Sequence, residues 1–596
     1  MYRFLAFTRL PAKIGRTVST KRGVVFPEIT RTLTKLNAGE NVMNFVPKWT
    51  KHAAIVVIAA FALTLTAGMS VADEETEAKS PEDMSVGEFV DASIRQGYED
   101  NEIEPSEMAS DEEWVRRVYL DIVGRIPTLD EAKEFINNES PRKRPVLVEK
   151  LLDSQDYVRN MTTVWTNNCV GRGQPRGNNA AFSRRGMEKF FREAFAKNRP
   201  WDEVVVDLVT SEGHWEENGA VNFTMAQMTM NDDAVQLTAK TTKLFLGMQV
   251  QCTQCHNHPF NNWQQSQFWE FNSFFRQVVN RNVQRTNPTT GRREQDYREI
   301  LLKDFSGPVY YEKRSGLMQV AFPIYEGEAI EPDAFDRRKE FSKLLVKADN
   351  GQTPLIAKAL VNRTWGQFFG YGFTRPVDDM GPHNPASHPE VLERLSAEFV
   401  KSDYNVKDLV RWIANSEAYS LTSKFGGKNE VDKPSAGEMP LFSHMYIKSM
   451  QAEQLYDSLI VATNAQKSGR GGWDEQEQQR RRWMQQFVVA FDNDENDEAT
   501  TFNGTIPQAL MMMNSELINK AVSAERGSFL YETFSKPGAD NAKMNDLYLA
   551  ALSRKPTRRE TSVASNLIRK YGSKKAQAYQ DLFWALLNSN EFIFNH

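Results

Sequence analysis

Cysteine and histidine are the scarce residues of this chain, three and eight among 596. So few thiols exclude a disulfide-stapled scaffold, and the fold must rest on a large hydrophobic core, for which aromatic residues are plentiful along the chain. The sequence has no His-Glu-x-x-His, no Gly-x-Ser-x-Gly and no dinucleotide fingerprint, so no hydrolase mechanism is assigned and enzymatic activity stays open. The glycine-rich stretch Gly171–Asn179 lacks the Gly-Lys-Ser/Thr ending of a phosphate cradle. The acidic run from Asp492 has Asp492, Asp494 and Asn496 at calcium-loop spacing, but Asp497 stands where that loop needs Gly and Asn503 where it needs Glu. It reads as a solvated loop. Positive charge is also short. The whole chain is −5, and residues 1–72 hold ten Lys/Arg against two Asp/Glu, so residues 73–596 sum to −13. That excludes nucleic acid as a natural partner, and Arg480-Arg481-Arg482, beside Asp474, Glu475 and Glu477, reads as one face of a solvated helix.

Against this scarcity stands Cys252-Thr253-Gln254-Cys255-His256. At these residue frequencies such a run arises by chance on the order of a few times in ten thousand chains of this length. Its form is that of covalent haem attachment: two thiols three positions apart each bond a vinyl group of one porphyrin, and the adjacent His256 ligates the iron. Two other chemistries use the same residues. Cys252, Cys255, His258 and one distant ligand make a zinc-like set, and Cys252 with Cys255 makes a disulfide or redox pair. A six-coordinate haem needs a distal ligand, for which His214, His383, His388, His444 and several methionines are available. Cys169 reads as a lone buried thiol.

The N-terminal region supplies a compartment. Ala53–Ala67 is apolar, follows Lys48 and Lys51, and leads to the small-residue exit Ser70-Val71-Ala72 before Asp73-Glu74-Glu75. Residues 1–72 are therefore expected to be a signal peptide region cleaved after Ala72, with Met43 as the true start. Export to the periplasm or cell envelope follows, with membrane attachment only if the leader stays uncut.

Beyond the leader, residues 73–83 read as an acidic linker. The fold class expected is mainly α: two helical domains, 84–285 and 335–596, with a small β-hairpin insertion between them in 286–334. Thr128 and Glu131 form a capping-box pattern opening a helix after Pro127. Helices are expected at 147–152, 187–196, 201–209, 355–369, 389–401, 406–415, 452–462, 508–519, 545–552 and 577–588. Val309-Tyr310-Tyr311 and Met318–Tyr325 around Arg314-Ser315-Gly316 read as the hairpin. If the segment before the motif is helical, Leu237, Thr241, Leu244, Met248, Cys252 and Cys255 share one inward stripe, capped by Asp232 and Asp233 and stopped by Pro259. Phe245, Phe260, Trp263 and Phe268 then either pack on a porphyrin or serve the core. Short echoes recur. Tyr119-Leu120-Asp121…Arg125-Ile126-Pro127-Thr128 resembles Tyr548-Leu549-Ala550…Arg554-Lys555-Pro556-Thr557. Ser154-Gln155-Asp156-Tyr157, Ser416-Glu417-Ala418-Tyr419 and Ser589-Asn590-Glu591-Phe592 are alike. They read as duplicated modules or as a common way to end a helix.

The order of these motifs resembles large secreted proteins, abundant in planctomycetes, that join a cytochrome-associated domain of unknown function to an uncharacterised C-terminal partner domain. Arg116–Thr128 and Leu244–Phe260 carry the N-terminal pattern. Pro354–Trp365, Phe369–Gly372, Asp378-Asp379, Ser387–Glu390, Ala452–Gln454 and Gln508–Leu510 carry the C-terminal one. The run Phe491–Glu498 departs from many relatives in lacking a cysteine and arginines. The resemblance spans residues 84–596 and implies proximity to cytochromes.

The expectation for function is an exported c-type haem protein, with Cys252 and Cys255 holding the porphyrin and His256 the iron, passing electrons to redox partner proteins or a bound substrate. The rival is a non-redox envelope binding or scaffold protein with a structural Cys/His site. Arg363, Trp365, Asp378, Asp379 and His388 either line a cleft for an anionic or sugar-like ligand, such as an envelope polysaccharide or small molecule, or bolt the two halves together. For Arg363 with Asp378-Asp379, a buried ion pair is the expected form.

Overall fold

Short polar side chains start many of the helices. In the computed structural model, which describes residues 80–173, 180–228, 233–347, 352–467, 473–491 and 505–596, the side chains of Ser85, Ser110, Thr128, Ser154, Ser183, Asn405, Ser528 and Thr557 each accept a first-turn backbone N–H. Each satisfies a donor that the helix itself leaves unpaired. The capping box at Thr128 is present, with the Thr128 N–H donating to the Glu131 carboxylate at 2.7 Å. The expected helix Leu355–Phe369 ends at Gly370, whose φ of 94° only glycine adopts without strain. Pro389 opens the helix Pro389–Lys401. One expected helix is two, Ile506–Asn514 and Glu516–Ala521, because Ser515 turns extended and its hydroxyl caps the second by accepting from the Ile518 N–H.

The protein is mainly α, with small sheets between two helical stretches. Val309–Glu312 pairs antiparallel with Met318–Ala321 as the expected hairpin. A longer ribbon, Val278–Thr286 with Arg293–Leu302, carries Gly213–His214 on the outer edge of the second strand. Its sequence shows no apolar alternation, since only Val278 and Ile300 are buried hydrophobics. Cross-strand ion pairs Arg281–Glu299 and Arg285–Glu294 join its strands instead.

Among the described residues two large apolar cores result, beside a small third cluster of Val235, Val250 and Phe268. One gathers residues from Val90 to Tyr446; the other gathers Met450 to Phe592 together with Leu120 and Ile126. The helix Asp111–Val123 serves both and is buried from Trp114 to Val123. Arg116 and Arg117 are therefore fully enclosed, and main-chain carbonyls replace their water. Arg116 donates to the carbonyls of Ala551, Glu591 and Phe592, and Arg117 to those of Tyr419, Leu421 and His596 and to Glu113. Burial pushes the Arg116 guanidinium down to about 10, so it stays charged at neutral pH.

The echoed segments fold into matching corners. Arg125 donates to Glu131, Asp156 and the Ile126 carbonyl; Arg554 donates to Glu560, Glu591 and the Lys555 carbonyl. Each guanidinium also lies over the tyrosine six positions earlier, Tyr119 at 5.4 Å and Tyr548 at 5.8 Å.

The leader, Met43 and residues 73–79 of the linker lie outside the described residues, as do 174–179, Asp232, the run from Asp492 to Gly504, and the side chains of Arg480 and Arg481. Among the described residues no helix is long and apolar enough to cross a membrane.

Candidate functional site

The helix that precedes the cysteines ends early. It runs Val235–Phe245, with Asp233 accepting the Val235 N–H at its start. Gly247 then takes φ 65°, and an added Cβ there would lie 2.5 Å from Met380 Cε. The chain continues irregularly into a single 3-10 turn, Gln251–Gln254. The inward stripe expected through Met248, Cys252 and Cys255 is thus corrected: both of these thiols are exposed on a loop and in no disulfide, while Cys169 is buried. Thr253, between the thiols, faces in, and its hydroxyl donates to the Val250 carbonyl at 2.6 Å. Of the four aromatics near the motif, Phe245 and Phe268 are core, Trp263 is partly buried against Val250 and Phe268, and Phe260 is 79% exposed.

His256 follows with Nδ1 2.7 Å from the Asn257 carbonyl. A carbonyl only accepts, so Nδ1 carries a proton, and in the neutral ring the lone pair is on Nε2. His258 is held differently, its Nδ1 accepting the N–H groups of Phe260 and Asn261. Partial burial, and secondarily the Asp379 carboxylate, push the Cys252 thiol up. A thiol-disulfide nucleophile needs the opposite shift.

The loop rests on the segment 378–383 of the second half. The Met380 N–H donates to the Gly247 carbonyl at 2.7 Å, and Gln249 Nε2 donates to Asp378 Oδ1 at 2.6 Å. Asp378 also faces Lys243 at 3.4 Å and Arg363 at 3.8 Å, and Arg363 donates to the Lys243 carbonyl. Asp379 accepts from His383 at 3.1 Å, and the His383 ring lies 5.8 Å from that of His258. Among the described residues, no group of three or more His, Cys, Asp or Glu side chains is placed to hold a metal ion.

Beside this junction lies a cavity of about 400 Å³, lined among others by Gln249, Arg363, Asp378, Gln367, Tyr371, Arg375, Lys448, Asp121 and Asn595. Two remote pieces of chain build one wall, because Lys448–Ser449 pairs antiparallel with Phe594–Asn595. Lys448 Nζ donates to Asp121 at 2.7 Å and to the carbonyls of Gln367 and Phe368. Asp121 accepts in addition from Tyr419 and from Asn595 Nδ2. Burial lowers the Lys448 pKa and raises that of Asp121, and their mutual attraction opposes both shifts.

Of the residues singled out in sequence, Arg363 and Asp378 line the cavity, and Asp379 stands at the cysteine loop. Trp365 and His388 are not among the lining residues. Trp365 is fully buried against Phe369, Phe373 and Phe442. His388 is buried against Phe442, and burial pushes its imidazole down to about 4. It packs so close to Gly97 that a Cβ there would lie 2.8 Å from its Nε2. Sequence reasoning missed Lys448, Asn595 and the role of Asp121. The one available signal was Asp121 itself, a charge within the apolar run Val118–Val123.

No curated protein and no solved structure matches the chain. Two family models do. PSCyt2, described as a protein of unknown function (DUF1549), matches residues 89–280, and PSD1, described as a protein of unknown function (DUF1553), matches 337–568. The interval between them is the strand region. With the cysteine loop in the first and Arg363 and Asp378 in the second, the chain carries a cytochrome-associated domain of unknown function followed by its C-terminal partner domain.

Proposed function

We propose that this is an exported c-type haem protein that passes single electrons, in which Cys252 and Cys255 would hold the porphyrin and His256 the iron. The observation that carries the reading is the motif's local geometry. Two free, exposed thiols sit at the ends of one short turn, and the next side chain has Nδ1 committed to a carbonyl. A second hydrogen bond of that kind fixes the ring and tautomer of a metal-ligating histidine, leaving Nε2 for iron. The thiols of Cys252 and Cys255 would each add across a vinyl group, sulfur to one carbon and hydrogen to the other, so no external oxidant is required. Bound haem supplies one-electron chemistry at a potential set by its axial ligands and surroundings. The chain's own part is to hold the loop still. Thr253 is buried beneath the thiols, Gln249 is tied to Asp378, and the Met380 N–H is tied to Gly247.

Expression with a haem-maturation system followed by a pyridine haemochrome spectrum tests the reading, and Cys255→Ser is expected to abolish attachment. Absence of covalent haem under conditions that mature a control cytochrome rejects it. Stoichiometric zinc in the purified protein, lost in Cys255→Ser, would instead support the structural Cys/His site of a scaffold protein.

A further inference from the structure

The Cys252 and Cys255 side chains are exposed, so the main chain of their turn, rather than packing around the sulfurs, sets the distance between them. The turn has one weak bond of its own, from the Cys255 N–H to the Cys252 carbonyl at 3.4 Å. Its firmer support comes from outside. Gln265 Nε2 and Trp269 Nε1 each donate at 3.1 Å to the carbonyl of Gln254, the residue just before Cys255. Both stand on the helix Gln265–Asn272, four positions apart, and side chains so spaced lie one above the other on one helix face. They therefore converge on one acceptor, which has a lone pair for each.

Gln265 also holds two neighbours of the turn. It is 5% exposed, and its Nε2 reaches the Glu312 carbonyl at 3.0 Å, which ties the turn to the strand Val309–Glu312. Both partners are carbonyls, so the amide nitrogen must face them. The Gln265 backbone N–H donates to Asn257 Oδ1 at 3.0 Å, which anchors the chain just after His256. Trp269 is held in its turn by its ring, stacked on Tyr311 with centroids 5.8 Å apart.

We infer that Gln265 and Trp269 are positioning residues for the thiol pair, keeping Cys252 and Cys255 close through the Gln254 carbonyl. A four-residue turn closed from its fourth N–H to its first carbonyl brings the end Cα atoms within about 7 Å, which is the reach of a disulfide. The consequence for haem attachment rests on the function proposed above; the thiol spacing does not, since it belongs to the unloaded chain.

Thiol–disulfide exchange with glutathione, on protein expressed without a haem-maturation system, tests it. One oxidised glutathione is reduced to two thiols as Cys252 and Cys255 lose their hydrogens and close on each other, so the equilibrium constant measures how well the folded chain holds the two sulfurs together. Trp269→Phe removes the donor and keeps a ring on Tyr311. Gln265→Met removes the amide and keeps the backbone N–H. Each is expected to lower the constant about threefold or more, and Ser266→Ala on the same helix is expected to leave it unchanged. A variant that only loosened the fold would weaken the dithiol and disulfide forms alike, lowering the melting temperature and not the constant. With the maturation system, haem per chain is expected to fall in the same two variants. Absence of haem from the parent protein rejects the haem reading and leaves the exchange result to stand by itself. If Gln265→Met does not fold, Trp269→Phe decides alone. An unchanged or raised constant in either folded variant, or an equal fall in Ser266→Ala, would overturn the assignment.

Discussion

The corner at Arg125 and the corner at Arg554 are built from matching parts, and one difference between them bears on the cavity. Each has a tyrosine under the guanidinium, a left-handed residue ending the helix (Gly124 at φ 73°, Ser553 at φ 58°), a Pro-Thr start with a capping glutamate, and a second acid from a serine-capped helix. At the position two after the tyrosine, the first corner carries Asp121 and the second Ala550. Asp121 holds Lys448, Tyr419 and Asn595 and lines the cavity; Ala550 is an ordinary buried side chain. The shared frame turns the chain, and what is hung beside it decides whether the corner also builds a site.

Making the first corner like the second has the largest expected effect. Asp121→Ala strands the Lys448 ammonium in the interior and is expected to cost about 3–5 kcal/mol in urea unfolding. The double variant Asp121→Leu/Lys448→Met is expected to recover most of that loss. A single-variant cost under about 1 kcal/mol would mean that water reaches the pair and that the corners are energetically equivalent.

Next come the arginines. The Arg125 side chain is 12% exposed and the Arg554 side chain 26%. Arg125→Ala is expected to lose about 2 kcal/mol and Arg554→Ala about half as much, because solvent screens the second set of ion pairs more. Equal losses in denaturant titrations would erase that distinction.

The smallest effect is in acid. Hydrogen bonds from Arg554 hold the Glu560 carboxyl down to about 2, below its ordinary 4.5. A depressed folded-state pKa stabilises above the unfolded value and loses that contribution as pH falls, here between about 4.5 and 2. Glu131 moves the same way; burial works against the shift, and Arg125 outweighs it. Glu560→Gln is expected to flatten part of the acid dependence of the melting temperature, and an unchanged profile would show that the pair is solvated in the folded protein.

What could be read from the sequence follows from where the physics is local. The helix Leu355–Phe369 was legible because a proline precedes it and Gly370 ends it, and the capping box at Thr128 because four consecutive residues contain it. The ribbon Val278–Leu302 was not, since wet strands joined by ion pairs show no apolar period. Helical spacing through Cys252 failed at Gly247, where contact with Met380 from the other half of the chain, invisible in a local window, sets the backbone. Arg363 and Asp378 were found as a dense polar window. Lys448 and Asn595 gave no sign, for a lone lysine or asparagine looks the same in sequence whether it is wet or sealed.

The pairing of Phe594–Asn595 with Lys448–Ser449 gives the cavity a dependence on time. Asn595 is separated from its partner Asp121 by 474 residues, so a growing chain carries the carboxylate long before this wall can exist. Any chain interrupted before Phe594 lacks the strand, the Asn595 amide and the His596 carbonyl that receives Arg117. The closed wall is thereby reserved for chains translated through to Asn595.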